Sequence, residues 1–228
     1  MIIKVCGMRD AENIRAVSEL DINMMGFIFW QKSPRFVKMI SSQAGIMPDY
    51  CHLEKLGKKD TGNLKVKRVG VFVDDMPQNI VTRVYNYQLD FVQLHGSESR
   101  VMIENLRRTL DPDIHKGIQI IKVISIESDV DIAKCEEYEG VVDLFLFDTK
   151  TPLVGGSGNQ FDWSMLEGYK GHTPFLLSGG IGPDDVERVR SFRHSMFAGI
   201  DLNSRFEIEP AVKDVEKLRT FIKAVRHE

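Results

Sequence analysis

Cys6 closes a short apolar run, Ile2–Cys6, and is followed at once by Gly7. A thiolate is a competent base, and a thiol becomes one where neighbours lower its pKa. Lys4 and Arg35 are the candidate cations for that task. The alternative reading of Cys6 is a small buried hydrophobe. Asp148 follows the apolar run Val142–Phe147. A carboxylate there needs a partner or a polar cavity. Partly desolvated, it has a raised pKa and serves as a general acid. The alternative is a structural carboxylate capping a loop. Arg35 ends Trp30-Gln31-Lys32-Ser33-Pro34-Arg35. Its planar fork suits two-point contact with a carboxylate, against the plainer reading of a solvated loop arginine. In Ser178-Gly179-Gly180-Ile181-Gly182 backbone N–H groups can approach an anion, because glycine lacks a Cβ. Asn203-Ser204 adds donors and offers a cap to a short helix whose N-terminus favours anions. Gly179 and Gly180 alone read equally as a turn. Paired with Asn203 and Ser204 they point to phosphate. Asp201 is placed as a substrate contact with no proton-transfer role.

Something must bring these residues together. Short apolar runs recur along the chain, most followed by an amphipathic stretch. The strand candidates are Ile2–Cys6, Met24–Phe29, Val66–Val73, Leu89–Leu94, Ile118–Val123, Val142–Phe147, Phe175–Leu177 and Met196–Ile200. The helical stretches are Asp10–Leu20, Pro77–Tyr87, Ser97–Leu110, Ser128–Cys135, a short one around Asp162–Leu166, Pro183–Val189 and Val212–Arg226. Continuous apolar runs such as Leu144-Phe145-Leu146-Phe147 suit strands buried on both faces. Strand–helix alternation implies parallel strands with right-handed crossovers, and eight such units close into a barrel. An open doubly wound sheet is the competing α/β arrangement. The barrel reading puts polar residues at the strand ends, where barrel chemistry gathers. Besides the residues above, Asp74-Asp75, Gln93, His95 and Thr149-Lys150 stand at such ends, and the fifth strand carries Lys122. The basic-rich stretch Pro48–Lys67 is read as a surface insertion in an otherwise single-domain (β/α)8 TIM barrel spanning residues 1–228.

The 228 residues are 43% hydrophobic, enough for one large core, and carry a formal net charge of -3. That balance gives no reason to expect nucleic acid or membrane as a partner. No apolar run is long enough to span a bilayer. The first residues lack a basic leader and read as a strand, not a signal peptide. Three cysteines show neither zinc nor disulfide spacing, which fits a reducing, cytoplasmic setting. No metal and no cofactor is signalled.

In order, several short motifs resemble the phosphoribosylanthranilate isomerase family. They are Lys4-Val5-Cys6-Gly7-Met8, Gly26-Phe27-Ile28-Phe29-Trp30 with Lys32-Ser33-Pro34-Arg35, Val69-Gly70-Val71-Phe72-Val73, Val92-Gln93-Leu94-His95-Gly96, Phe147-Asp148-Thr149-Lys150, Gly155-Gly156-Ser157-Gly158 with Phe161-Asp162-Trp163, and Leu177-Ser178-Gly179-Gly180-Ile181. The resemblance covers most of the chain. It implies an Amadori rearrangement in tryptophan biosynthesis, converting N-(5-phosphoribosyl)anthranilate to 1-(2-carboxyphenylamino)-1-deoxyribulose 5-phosphate. It implies Cys6 as the base that removes the C2 proton and Asp148 as the acid that protonates the furanose oxygen. Arg35 would hold the anthranilate carboxylate, and Gly180 with the Asn203-Ser204 loop would hold the phosphate. Gly155–Gly158 would border the site as a lid. The implied partner is a small phosphorylated substrate, with the chain a monomer or homodimer. Three features depart from the family pattern. Arg205 replaces a glycine, Trp30 stands where Tyr or Phe is usual, and the Pro48–Lys67 stretch is long. Two alternatives remain. Another phosphosugar barrel enzyme would need catalytic lysines and glutamates, or an aspartate in place of Cys6. A non-catalytic phosphosugar-binding barrel would keep the glycine loop and lose the acid or the base.

Overall fold

The computed structural model describes residues 1–38, 66–111, 113–149 and 162–226. Eight parallel strands close into a barrel in sequence order. They are β1 (Ile2–Val5), β2 (Met24–Ile28), β3 (Lys67–Phe72), β4 (Phe91–Leu94), β5 (Gln119–Ile126), β6 (Leu144–Thr149), β7 (Phe175–Leu177) and β8 (Phe197–Leu202). The ring is sealed by β1 on β8, in the register Lys4 opposite Asp201 and Val5 opposite Leu202.

Helices coat the outside: α1 (Ala11–Ser18), α2 (Pro77–Tyr87), α3 (Arg100–Leu110), α4 (Cys135–Tyr138), α5 (Val186–Ser191) and α6 (Val215–Arg226). Their starts follow local chemistry. Asp10 accepts from the Asn13 N–H at 2.8 Å and caps α1, while Pro77 opens α2 where no intrahelical donor is needed. The main core lies between strands and helices. A second apolar cluster fills the barrel itself, built from Met24, Val69, Phe91, Ile121, Val123, Leu144, Leu146 and Leu176. It plugs the interior, and the polar residues stand above it. Among the described residues no helix is long and apolar enough to cross a membrane.

Several boundaries differ from the sequence reading. The last helix starts at Val215. Val212–Lys213 instead pairs antiparallel with Glu207–Glu209 as a small hairpin, β9 (Glu207–Glu209) and β10 (Val212–Lys213). Tertiary contacts decide this. Asn13 takes both backbone groups of Lys213 at 2.8 Å, and the Lys213 ammonium bonds Glu207 and Asn203. α3 starts at Arg100 because Ser97 and Glu98 are engaged elsewhere: Ser97 donates to Asp74, and Glu98 accepts from Asp74, Gly96 and Lys122. Ser128–Cys135 is a 3-10 turn, Asp129–Lys134, before α4. Pro183–Val189 divides into a 3-10 turn, Pro183–Asp185, and α5. β5 runs on to Ile126. Of the stretch read as an insertion, Lys67 is the first residue of β3, and residues 48–65 lie outside the described residues. So do Lys150 and the glycine motif at 155–158.

Candidate active site

A cleft opens at the C-terminal ends of the strands. All the residues given a catalytic or substrate-binding role from the sequence line it: Cys6, Arg35, Asp148, Gly179, Gly180, Asp201, Asn203 and Ser204. They come from five strands and the loops that follow them, so only barrel closure assembles the set.

Cys6 continues β1 by donating its N–H to Leu202 O at 2.8 Å and is 4% exposed. Gly26 on β2 gives it room, since a Cβ there would stand 2.7 Å from the Cys6 Sγ. Burial pushes the Cys6 thiol up. The Lys4 ammonium works against that, the Asp201 carboxylate reinforces it, Lys213 opposes it, and the net direction is upward. Lys4 is wholly buried and bonds Asp201 Oδ1 at 2.8 Å. Burial works against its charge, but Asp201 and Cys6 outweigh that and its pKa is raised. A buried cation thus stands by, and a Cys6 thiolate would be its counterion. Lys4 and Arg35 are both charge neighbours of Cys6, but against burial and Asp201 they do not bring its pKa below the ordinary thiol value, contrary to the sequence reading.

Asp148 sits two residues above Leu146 on the inward face of β6. Burial and then the Asp201 carboxylate raise its pKa to about 7, against the Thr149 N–H and Lys4. The Thr149 N–H donates to Oδ1 at 2.9 Å. His95 Nε2 lies 3.5 Å from Oδ2. Burial, then Lys122 and Lys4, hold the His95 imidazole at about 4. At neutral pH the imidazole is therefore uncharged, and the contact is no ion pair. A carboxyl poised near pH 7 is matched to giving up a proton under physiological conditions.

Gly179 and Gly180 have φ +83° and +74°. Two consecutive residues at positive φ call for glycine, and without a Cβ on either an anion can come close to the backbone. A Cβ on Gly179 would collide with Thr149 Oγ1 and its N–H. Ser178 beside them donates to Asp201 Oδ2 at 3.3 Å. Asn203 does not cap the one-turn helix Ser204–Phe206 as expected. Its Oδ1 is taken by the Lys213 ammonium at 2.8 Å, which leaves its amide NH2 as the donor end.

Arg35 is not a solvated loop residue. It is buried, and the edge formed by Nε and Nη2 makes a two-point pair with Glu207 at 2.8 and 2.6 Å. Lys213 bonds the same carboxylate at 2.6 Å. Glu207 thereby sets the guanidinium at the pocket edge, with Nη1 at its other end. Burial opposes the Glu207 charge, but Arg35 and Lys213 prevail and its pKa is lowered.

Sequence reading gave no role to Gln93, Glu207 or Lys213, and left His95 as a strand-end residue. Gln93 and His95 continue the inward alternation from Phe91, and that period of two was the available signal. Glu207 and Lys213 are recognisable only once the hairpin after β8 is folded. Among the described residues no group of three or more His, Cys, Asp or Glu is placed to hold a metal.

A sequence profile described as "PRAI: N-(5'phosphoribosyl)anthranilate (PRA) isomerase" matches residues 3–224. The chain is 48% identical over 227 residues to the N-(5'-phosphoribosyl)anthranilate isomerase of Parabacteroides distasonis, covering 100% of this chain and 94% of the relative. Among solved structures it resembles phosphoribosyl anthranilate isomerase from Thermus thermophilus, with TM-score 0.78, 26% identity and coverage of 100% and 99%. It also resembles a phosphoribosyl anthranilate isomerase in complex with reduced 1-(o-carboxyphenylamino)-1-deoxyribulose 5-phosphate, with TM-score 0.70, 26% identity and full coverage of both chains.

Proposed function

The chain belongs to the N-(5'-phosphoribosyl)anthranilate isomerase family, and from that membership we propose that Cys6 and Asp148 are its proton-transfer pair. The protein is an isomerase of tryptophan biosynthesis that converts N-(5'-phosphoribosyl)anthranilate to 1-(2-carboxyphenylamino)-1-deoxyribulose 5-phosphate. Asp148 gives its proton to the furanose oxygen. The C1–O bond breaks and the anilino nitrogen shares its lone pair with C1, forming an iminium. Cys6, as thiolate, takes the C2 proton, and the electron pair moves to make an enolamine. A proton returned to C1 and one lost from the C2 hydroxyl give the ketone. Each proton-transfer group contributes roughly 10²–10⁴-fold.

The observation that carries this reading is the Asp148 carboxyl, held at about 7 in the same cleft as Cys6. The cradle of Gly179 and Gly180, with Asn203 and Ser204, takes the phosphate. The Nη1 end of Arg35 takes the anthranilate carboxylate, and Asp201 keeps Lys4 in place and contacts the sugar. We place all of residues 1–228 in one domain, working in the cytoplasm as a monomer or homodimer on this small phosphorylated substrate.

The test mixes fresh phosphoribosylanthranilate with purified protein, without added metal or cofactor, and follows anthranilate-type fluorescence. Wild type converts it, and Cys6→Ser and Asp148→Asn each lose about 10²–10⁴-fold in turnover while keeping the wild-type circular dichroism. Near-wild-type turnover in either variant removes that residue's role.

A further inference from the structure

One buried polar atom in the cleft is left out of the networks above. Gln93 stands on β4 one inward step above Phe91, is 2% exposed, and lines the cleft. Its Oε1 has no hydrogen-bond partner among the described residues. The other buried side-chain atoms in that condition, on Arg83, Trp163 and Arg226, do not line the cleft. Its ladder neighbours are Val71 and Ile121, whose side chains cannot donate. A buried acceptor without a partner is costly, and such groups in a cleft point to a donor that arrives with a ligand.

The cleft's layout says which donor. Ile28 on β2, Trp30 just after it, and Val71 and Val73 on the β3 side make an apolar wall. It suits the aromatic ring, with Arg35 at its edge for the carboxylate. The anion cradle lies across the barrel at β7 and β8. Going round from the apolar wall, Gln93 on β4 is met before Asp148 on β6. The atom that joins ring to sugar is the anilino nitrogen, and it must pass between wall and acid.

We propose that Gln93 Oε1 accepts a hydrogen bond from the anilino N–H of the substrate. The inference rests on the function proposed above. The nitrogen keeps its hydrogen throughout the reaction and turns cationic when the furanose opens. A hydrogen bond to an ionised donor is stronger than one to a neutral donor. The contact therefore tightens as the iminium forms, and it appears in kcat more than in KM. Gln93 binds the reacting atoms and moves no proton.

The experiment pairs two inert product analogues, the reduced anilino compound and its phenoxy counterpart with oxygen in place of N–H. Each is titrated against wild type, Gln93→Met and Gln93→Leu. Wild type is expected to bind the N–H analogue about tenfold more tightly than the oxygen analogue, and both variants to bind the two alike. Turnover of phosphoribosylanthranilate is expected to fall about 10- to 100-fold in the variants, chiefly in kcat. The ligand-free variants are expected to melt at or above the wild-type temperature, because an unpaired acceptor has been removed. A structural glutamine would give the opposite shift. Equal wild-type affinity for the two analogues overturns the inference without calling on any variant. So does an equal loss for both analogues in the variants, which would assign Oε1 to a sugar hydroxyl. Wild type that leaves phosphoribosylanthranilate unconverted overturns the proposed function instead.

Discussion

Asp148 has little around it to hold a negative charge. Its folded-state pKa is about 7 against an ordinary 3.8. Between those values the folded protein keeps a proton that the unfolded chain has released. Stability therefore falls as pH rises from about 4 to about 7, and the loss is complete above that. Asparagine cannot ionise. Asp148→Asn is expected to match wild type near pH 4 and to melt on the order of 5–10 °C higher at pH 8. Melting curves of both proteins across that range check it, and parallel curves would mean that Asp148 titrates like an exposed carboxyl. The protonated form is also the acid, so wild-type kcat/KM is expected to decline on the alkaline side of about pH 7. Cys6, Asp148 and the glycine pair were legible in the sequence because each ends an apolar run, and strand ends are where barrels keep polar groups. Gln93 was visible only as a strand-end polar residue. Its significance comes from a missing partner, which no linear pattern displays. Arg35 was legible as a fork for a carboxylate, but the carboxylate of Glu207 already fills one edge, from 172 residues further along the chain.

Strands proved easier to place than helices. β7 and α2 match the sequence reading residue for residue, because a continuous apolar run and a proline start are local signals. The short helices after β5 and β7 divide into 3-10 and α pieces, and the hairpin β9–β10 replaces a helix turn. In the hairpin the distant Asn13 outweighs local periodicity, while in the two divided helices the carboxylates of Asp131 and Asp185 bind the backbone just ahead of them and shape the first turn. The strands also carry an instruction that periodicity leaves unread, the space left beside Cys6. Gly26 → Ala would bring a methyl to 2.7 Å from Sγ and 3.2 Å from the Cys6 Cα. The thiol, which can swing, yields more easily than the β1 backbone. Gly26→Ala is therefore expected to lower kcat by about tenfold or more while costing about 1–3 kcal/mol of stability. Urea unfolding and steady-state kinetics on the same preparation separate the two effects. An unchanged kcat would show that the position of Sγ has slack.

The whole barrel depends on its seam. β1 lies so close to β8 that a Cβ on Gly199 would fall on the backbone of Ile2. Neither strand can retreat without breaking the ladder from Ile2 through Val5. Gly199→Ala is expected to cost about 3 kcal/mol, and equilibrium urea unfolding measures it. A loss below about 0.5 kcal/mol would mean that the seam can breathe. The closed ring itself was legible from eight alternating units, whereas the tightness of its last joint was not. The seam has a further consequence for how the protein comes into being. Lys4 and its partner Asp201 are 197 positions apart. On the ribosome β1, which leads into Cys6, is made long before β8, and its far edge stays unpaired until Gly199–Leu202 have been made. A nascent or prematurely terminated chain holds the thiol yet has no Asp201 to balance Lys4, and no backbone on which Cys6 can hang. The surroundings of the thiol thus exist only once the residues of β8 have been made.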